Sequence, residues 1–228
     1  MSSIENVENN PNLNRVKTIA VMKRVLETND QNAIANRREF DAKGILSINL
    51  MSSPGSGKTT LLEATAKAAD FKFAVIEGDM ETNRDADRLA KLGVQARQIT
   101  TGTACHLEAD MVREAMSQMK LDGLNAVFIE NVGNLVCPAS YELGSHINVA
   151  LISTPEGDDK VLKYPVMFRL VDLVLITKVE LAPLFDFSVD RVVSEARRLK
   201  PEVETIALSA KTGEGMDRWL SFVKSRLP

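Results

Sequence analysis

The sequence predicts an α/β fold, a mainly parallel sheet flanked by helices, with an N-terminal helical extension. Three observations carry this. Strand-like and helix-like segments alternate along most of the 228 residues. A glycine-bearing loop, Ser52–Thr60, lies between an apolar run and a helix-like run. An apolar share of 44% suffices for the core that two helical layers and a sheet require.

Taken in order, residues 1–11 are polar and Asn-rich. Residues 12–43 carry a helical pattern in which Leu13, Val16, Ile19 and Leu26 share a face, with a break and cap expected at Asn29-Asp30. Gly44 closes this extension, so two regions are expected: 1–43, helical, and 44–228, the α/β domain. Strands are expected over 45–51, 71–77, 96–100, 126–130, 147–153, 173–177 and 205–208, as short apolar runs bounded by turn residues. Helices are expected over 61–69, 84–92, 105–119, 188–199 and 216–226. In such a fold ligands gather at the carboxyl ends of the strands. There is no internal repeat and no low-complexity linker.

Composition narrows the function. A net charge of −3 offers no basic surface for nucleic acid or anionic membrane. No apolar run approaches the ~18 residues of a membrane span. The N-terminal residues lack the pattern of a secretory signal. Two cysteines in this length argue against a disulfide scaffold, so a reducing cytoplasm is expected.

Ser52-Ser53-Pro54-Gly55-Ser56-Gly57-Lys58-Thr59-Thr60 has the context of a P-loop: strand, loop, helix. Gly55 and Gly57 let backbone N–H groups around Ser56 turn inward as a nest for phosphate oxygens. The helix that starts at Gly57 adds unpaired donors. Lys58 is placed to reach the β- and γ-phosphates, and Thr59 to give its hydroxyl to Mg²⁺. Ser52 stands where the usual pattern has Gly.

Two further strand ends address the base. Thr177-Lys178-Val179-Glu180 and Ser209-Ala210-Lys211 resemble the Asn-Lys-x-Asp and Ser-Ala-Lys motifs of GTPases. A carboxylate at Glu180 accepts from both guanine N1–H and the exocyclic amine, donors that adenine lacks in that arrangement. The Lys178 stem covers the base and the Ala210 N–H meets guanine O6. Thr177 and Glu180 depart from the standard residues, so guanine preference is expected to be weaker than usual. Asp79 and Glu130 end strands and are candidates for holding Mg²⁺, directly or through water. Glu130-Asn131-Val132-Gly133 resembles the Asp-x-x-Gly switch, with Gly133 N–H at the γ-phosphate. No glutamine is placed to orient water; Asp85 is a candidate, and slow intrinsic hydrolysis is expected.

The chain's thiols and imidazoles are Cys105, His106, Cys137 and His146. Cys105 and His106 follow a loop and are expected to open a helix, where a thiol's pKa falls. Cys137 stands four residues beyond Gly133, inside the segment expected to respond to the γ-phosphate. Adjacent helical residues point ~100° apart. Either the backbone is irregular at Cys105-His106, or one side chain binds metal and the other supports it. One chain offers too few ligands for a closed tetrahedral site, so a metal shared across a two-fold dimer is the simplest solution, with Zn²⁺ or Ni²⁺ suited to the donors. His146 has no evident partner and reads as structural.

Ser52–Thr60, Glu77-Gly78-Asp79, Thr82-Asn83-Arg84-Asp85, residues 101–108, Glu130–Pro138 and residues 155–161 together resemble the hydrogenase nickel-incorporation GTPases, the HypB family, from Asn10 onward. The resemblance implies a SIMIBI-class P-loop GTPase and metallochaperone that dimerises around GTP. It implies delivery of Ni²⁺ to the large-subunit precursor of nickel–iron hydrogenase with a small HypA-like zinc-binding partner. It also implies that Cys105, His106 and Cys137 form the metal site at the dimer interface, that residues 12–40 dock the partner, and that Lys160 acts across the dimer. The Cys-Pro-His of the urease counterpart is absent, as are an N-terminal Cys-rich site and a His-rich tract. Competing readings are a GTPase loading urease or a cobalamin enzyme, a metal buffer with a vestigial nucleotide site, and a small-molecule kinase, against which Ser-Ala-Lys counts.

Overall fold

Among the described residues seven strands run parallel in one sheet of order β3-β2-β4-β1-β5-β6-β7. The computed structural model describes residues 11–79, 84–102 and 104–228; the side chains of residues 11–18, 20, 84 and 85 lie outside that description. In chain order the strands are β1 Leu46–Ser52, β2 Phe73–Asp79, β3 Gln95–Thr100, β4 Ala126–Glu130, β5 Ile147–Ser153, β6 Leu173–Thr177 and β7 Glu204–Ala207. The helices are α1 Pro11–Lys43, α2 Lys58–Ala68, α3 Arg84–Ala90, α4 Ala109–Ser117, α5 Lys160–Lys163, α6 Pro165–Leu170, α7 Val189–Leu199 and α8 Met216–Lys224. Strands β1, β4 and β6 are buried at every position, because helices cover both faces of the sheet and leave no polar side for alternation.

Alternate side chains of the strands serve opposite layers. On one face Leu61 and Leu62 of α2 and Trp219 and Phe222 of α8 pack on Ile48, Val75 and Phe128. Trp219 is fully buried, and its indole N–H donates to Thr65 Oγ1 at 2.9 Å. On the other face Val112 and Met116 of α4, with Phe40 of α1, cover Ile76, Val127 and Ile129. Met167, Phe168 and Val192 cover Val174 and Ile176 further along that face.

From β1 the chain moves to β2 and β3 on one side, returns through β4, and then builds β5 to β7 on the other. The reversal places a crevice at the carboxyl end of β1, where α/β sheets bind their ligands.

Four expectations need correction. Helix α1 runs unbroken through Asn29-Asp30, because Asn29 uses its side chain on other elements: Nδ2 donates to Glu142 O and Oδ1 accepts from Ala109 N, both at 2.8 Å. The expected shared apolar face is not packed at Ile19, which is 57% exposed, while Leu26 is half-buried; the Leu13 and Val16 side chains lie outside the described residues. Helix α4 starts at Ala109, four residues after Cys105. The strand ends shift by one or two residues at β1, β2, β3 and β7.

The second half of α1 is fixed to the domain by polar contacts. Asn36 Nδ2 donates to Ala109 O and Leu143 O, and Arg37 Nε donates to Gly144 O. His146 has partners after all: Nδ1 meets the Ser47 hydroxyl and accepts from Ser47 N, while Nε2 lies 2.7 Å from Asp41 Oδ1 at the end of α1. Among the described residues no helix is long and apolar enough to cross a membrane.

Candidate nucleotide and metal sites

The loop after β1 turns through two left-handed glycines, Gly55 at φ 75° and Gly57 at φ 94°. That backbone forms one wall of a cavity of about 360 Å³, lined also by Lys58, Thr59, Thr60, Glu77, Asp79, Arg88, Glu130, Gly133 and Lys178. Lys58 is nearly buried, and its ammonium donates to Ser52 Oγ at 2.9 Å. The serine at the expected glycine position therefore supplies an acceptor for the P-loop lysine. Thr59 Oγ1 donates to Glu130 Oε1 at 2.9 Å, which brings two of the expected Mg²⁺ groups into contact. Asp79 is half-buried on the same cavity. Gly133 approaches the loop so closely that a Cβ there would lie 2.9 Å from Pro54 Cα.

The sequence did not single out Glu77 and Arg88 as site residues. Glu77 is the register partner of Glu130 on the adjacent strand, so two buried carboxylates share the cavity. Arg88 makes a two-pronged ion pair with Glu63 of α2, at 2.6 and 3.0 Å. Parallel strand pairing was the available signal for Glu77: it is the fifth residue of β2, as Glu130 is the fifth of β4. Asp85 lies in α3, but its side chain lies outside the described residues, as do Thr82, Asn83 and Thr103.

On the side expected to meet the base, Thr177 Oγ1 donates to Ser56 O at 2.7 Å. The substituted threonine ties the end of β6 to the phosphate loop. Lys178 adopts a left-handed conformation, φ 58°, uncommon for a residue with a side chain. That bend carries its ammonium to Gly55 O at 2.7 Å. Val179 N donates to Leu208 O, which joins this loop to the one bearing Ser209, Ala210 and Lys211. Ser209 is buried and its hydroxyl accepts from Thr212 N, shaping that loop; Glu180 is half-buried and Lys211 is exposed. Glu156 is a further participant. Its Oε1 accepts from Ser56 Oγ, Ser153 Oγ and Ser153 N. Burial alone would push this carboxyl up, but the serine hydroxyls outweigh it and hold it below the usual range.

The thiols gather across 32 residues. Cys105 Sγ lies 2.8 Å from Cys137 Sγ, and His106 Nδ1 lies 3.8 Å from Cys105 Sγ. One ligand atom from each of Cys105, His106 and Cys137 falls within 4.8 Å of the others. Two thiols and an imidazole suit a borderline-soft ion, and three donors leave a coordination position open. The backbone at Cys105-His106 is irregular: neither residue is in a helix, so the 100° constraint does not apply. The helix expected to open at Cys105 opens at Ala109, so Cys105 is not at a helix N-terminus. The neighbouring Cys105 thiol, with burial, pushes Cys137 up.

Asparagines connect this cluster to the phosphate cavity. Asn131, fully buried, accepts from Leu107 N at 3.2 Å and Val132 N at 3.0 Å, and donates to Asn49 Oδ1. Asn134 Nδ2 donates to Cys105 O, and its Oδ1 accepts from Val136 N. The loop from Glu130 to Cys137 thus lines the cavity at one end, carries a thiol at the other, and grips the Cys105 segment between them.

The family model described as the CobW/HypB/UreG nucleotide-binding domain matches residues 46–207. The Hydrogenase/urease maturation factor HypB of Helicobacter pylori is 48% identical over 223 residues, which cover 96% of this chain and 92% of the relative. The Hydrogenase maturation factor HypB of Escherichia coli is 45% identical over 218 residues, 95% of this chain and 75% of the relative. The crystal structure of Helicobacter pylori HypB in complex with nickel superposes with a TM-score of 0.85 at 48% identity, over 87% of this chain and 94% of that one. The hydrogenase maturation factor HypB of Archaeoglobus fulgidus gives 0.83 at 34% identity, over 89% and 100%.

Proposed function

The chain belongs to the CobW/HypB/UreG family, among the HypB maturation factors, and we propose that it is a GTP hydrolase whose nucleotide state and dimerisation govern nickel delivery during maturation of nickel–iron hydrogenase. One observation carries this reading. A single loop lines the phosphate cavity at Gly133 and contributes Cys137 to a cluster with Cys105 and His106.

The roles follow from position. Gly55, Ser56, Gly57 and Thr60 present backbone donors to the phosphates, and Lys58 neutralises the β- and γ-oxygens. Thr59, Glu130 and Asp79 would hold Mg²⁺, which when bound neutralises phosphate charge. The Thr59–Glu130 hydrogen bond supports that assignment, since both groups already converge. Lys178, Glu180, Ser209, Ala210 and Lys211 form the guanine side, with Thr177 fixing it to the phosphate loop. Gly133 senses the γ-phosphate through its N–H; Asp85 is the candidate to orient the attacking water. Nickel is the cargo, bound by Cys105, His106 and Cys137, with Zn²⁺ as an alternative occupant. When the γ-phosphate leaves, the loop relaxes, and the shared backbone from Gly133 to Cys137 changes the grip on the metal.

The partners in this reading are a second copy of the chain bound around GTP, a HypA-like accessory protein and the hydrogenase large-subunit precursor. Residues 1–43 serve as the docking extension and 44–228 as the GTPase domain. Exposed Ile19, Val21, Met22 and Val25 on α1 support docking there. The Helicobacter relative carries urease in its name beside hydrogenase, so urease stands as the second client reading.

Phosphate release by the purified protein tests the enzymatic part. Slow release with GTP, less with ATP, and none from Lys58→Ala are expected; equal release from Lys58→Ala would refute the assignment.

A further inference from the structure

His106 is enclosed from three directions. Its ring stacks on Tyr141, with centroids 3.8 Å apart and planes inclined by 24°. Its Nδ1 edge faces Cys105 Sγ at 3.8 Å. Its Nε2 atom is buried and makes no hydrogen bond among the described residues, yet Glu108 Oε1 stands 3.6 Å away. A neutral imidazole carries one N–H, and a buried N–H requires an acceptor. The distance exceeds a hydrogen bond by about half an ångström, within the range of a small side-chain rotation.

Glu108 is also held ready. It is the N-cap residue of α4, but its side chain caps nothing. The first N–H of that helix, Ala109 N, is taken by Asn29 of α1. The same Asn29 amide donates to Glu142 O, directly after Tyr141. One side chain of α1 therefore fixes the backbone beside both groups that flank His106.

We propose that Glu108 is a positioning residue of the metal site: it accepts the Nε2–H of His106, so that Nδ1 is the nitrogen offered to the metal beside the two sulfurs. The inference rests on Cys105, His106 and Cys137 being the ligands. Carboxylates in this outer position fix ring orientation and raise ligand basicity, and their loss costs 10–100-fold in metal affinity.

The test is a competition titration of the full chain with Zn²⁺ and with Ni²⁺ against a chromophoric chelator, with thermal melts as a check on folding. Glu108→Ala is expected to weaken binding about 10–100-fold, and Glu108→Gln, whose amide oxygen still accepts, to recover most of it. In a His106→Ala background, Glu108→Ala is expected to cost nothing further, because its effect passes through the ring. Wild-type affinity in Glu108→Ala, or the same loss with and without His106, would overturn the inference. If Cys105→Ala and Cys137→Ala bind metal as the wild type does, the site itself is wrong and the inference falls with it.

Discussion

Asn131→Ala removes the side chain that ties the phosphate-facing loop to the Cys105 segment. Asn131 is fully buried and satisfies three groups: Leu107 N, Val132 N and Asn49 Oδ1. Leu107 is itself fully buried, so its N–H gains no water when the acceptor goes. Each orphaned buried group costs ~1–3 kcal/mol, and partial relaxation or an entering water recovers some of that. A net loss of about 2–4 kcal/mol is expected. In a chain of this size each kcal/mol moves the melting temperature by ~2–4 °C, so a fall of roughly 5–15 °C is expected in calorimetry. Asn134→Ala provides the contrast: its amide is only half-buried, and about 1 kcal/mol is expected. Both variants should weaken metal binding, because both release the backbone of the Cys105 segment. An Asn131→Ala protein that melts within a degree of wild type would show that the bond to Leu107 does not hold these loops together.

Three further outcomes follow from particular contacts. Gly133→Ala sets a Cβ 2.9 Å from Pro54 backbone, which cannot yield as a flexible side chain would; the loops must part by about half an ångström, and affinity for a non-hydrolysable GTP analogue should fall ~10-fold or more while GDP affinity changes less. Glu156 titrates below its unfolded value, so its contribution is present above that value and lost as pH falls through the folded one; Glu156→Gln should flatten the acid limb of the stability curve below about pH 4.5, and an unchanged acid limb would count against the serine contacts. Trp219→Ala leaves a large core cavity and removes the indole N–H that Thr65 Oγ1 accepts, and should cost ~3–5 kcal/mol in denaturant unfolding, with GTP binding intact.

The sheet was largely legible because its strands are short apolar runs bounded by turn residues. Three of them, Ala126–Glu130, Ile147–Ser153 and Leu173–Thr177, begin and end where that pattern does. The phosphate loop was legible from its glycines and its setting between strand and helix. Misread local features had long-range causes. Asn29-Asp30 has the composition of a break, but Asn29 spends its amide on residues 80 and 113 positions away. The helix expected from Cys105 starts at Ala109, and that same Asn29 takes the N–H that opens it. Thr177 looked like a defect in a base-recognition motif; its hydroxyl proves to bridge two loops 121 residues apart. Glu156 and Tyr141 carry no spacing signal strong enough to distinguish them from other acidic and aromatic residues, and only the folded topology sets them beside the site.

The coupling of phosphate to metal is tested most directly by Ni²⁺ affinity and oligomeric state measured with GDP and with a non-hydrolysable GTP analogue, for the wild type and for Cys137→Ala. The geometry of the Gly133–Cys137 loop predicts a different affinity in the two nucleotide states for the wild type, and loss of that difference in Cys137→Ala. Identical affinity and assembly in both nucleotide states of the wild type would contradict it.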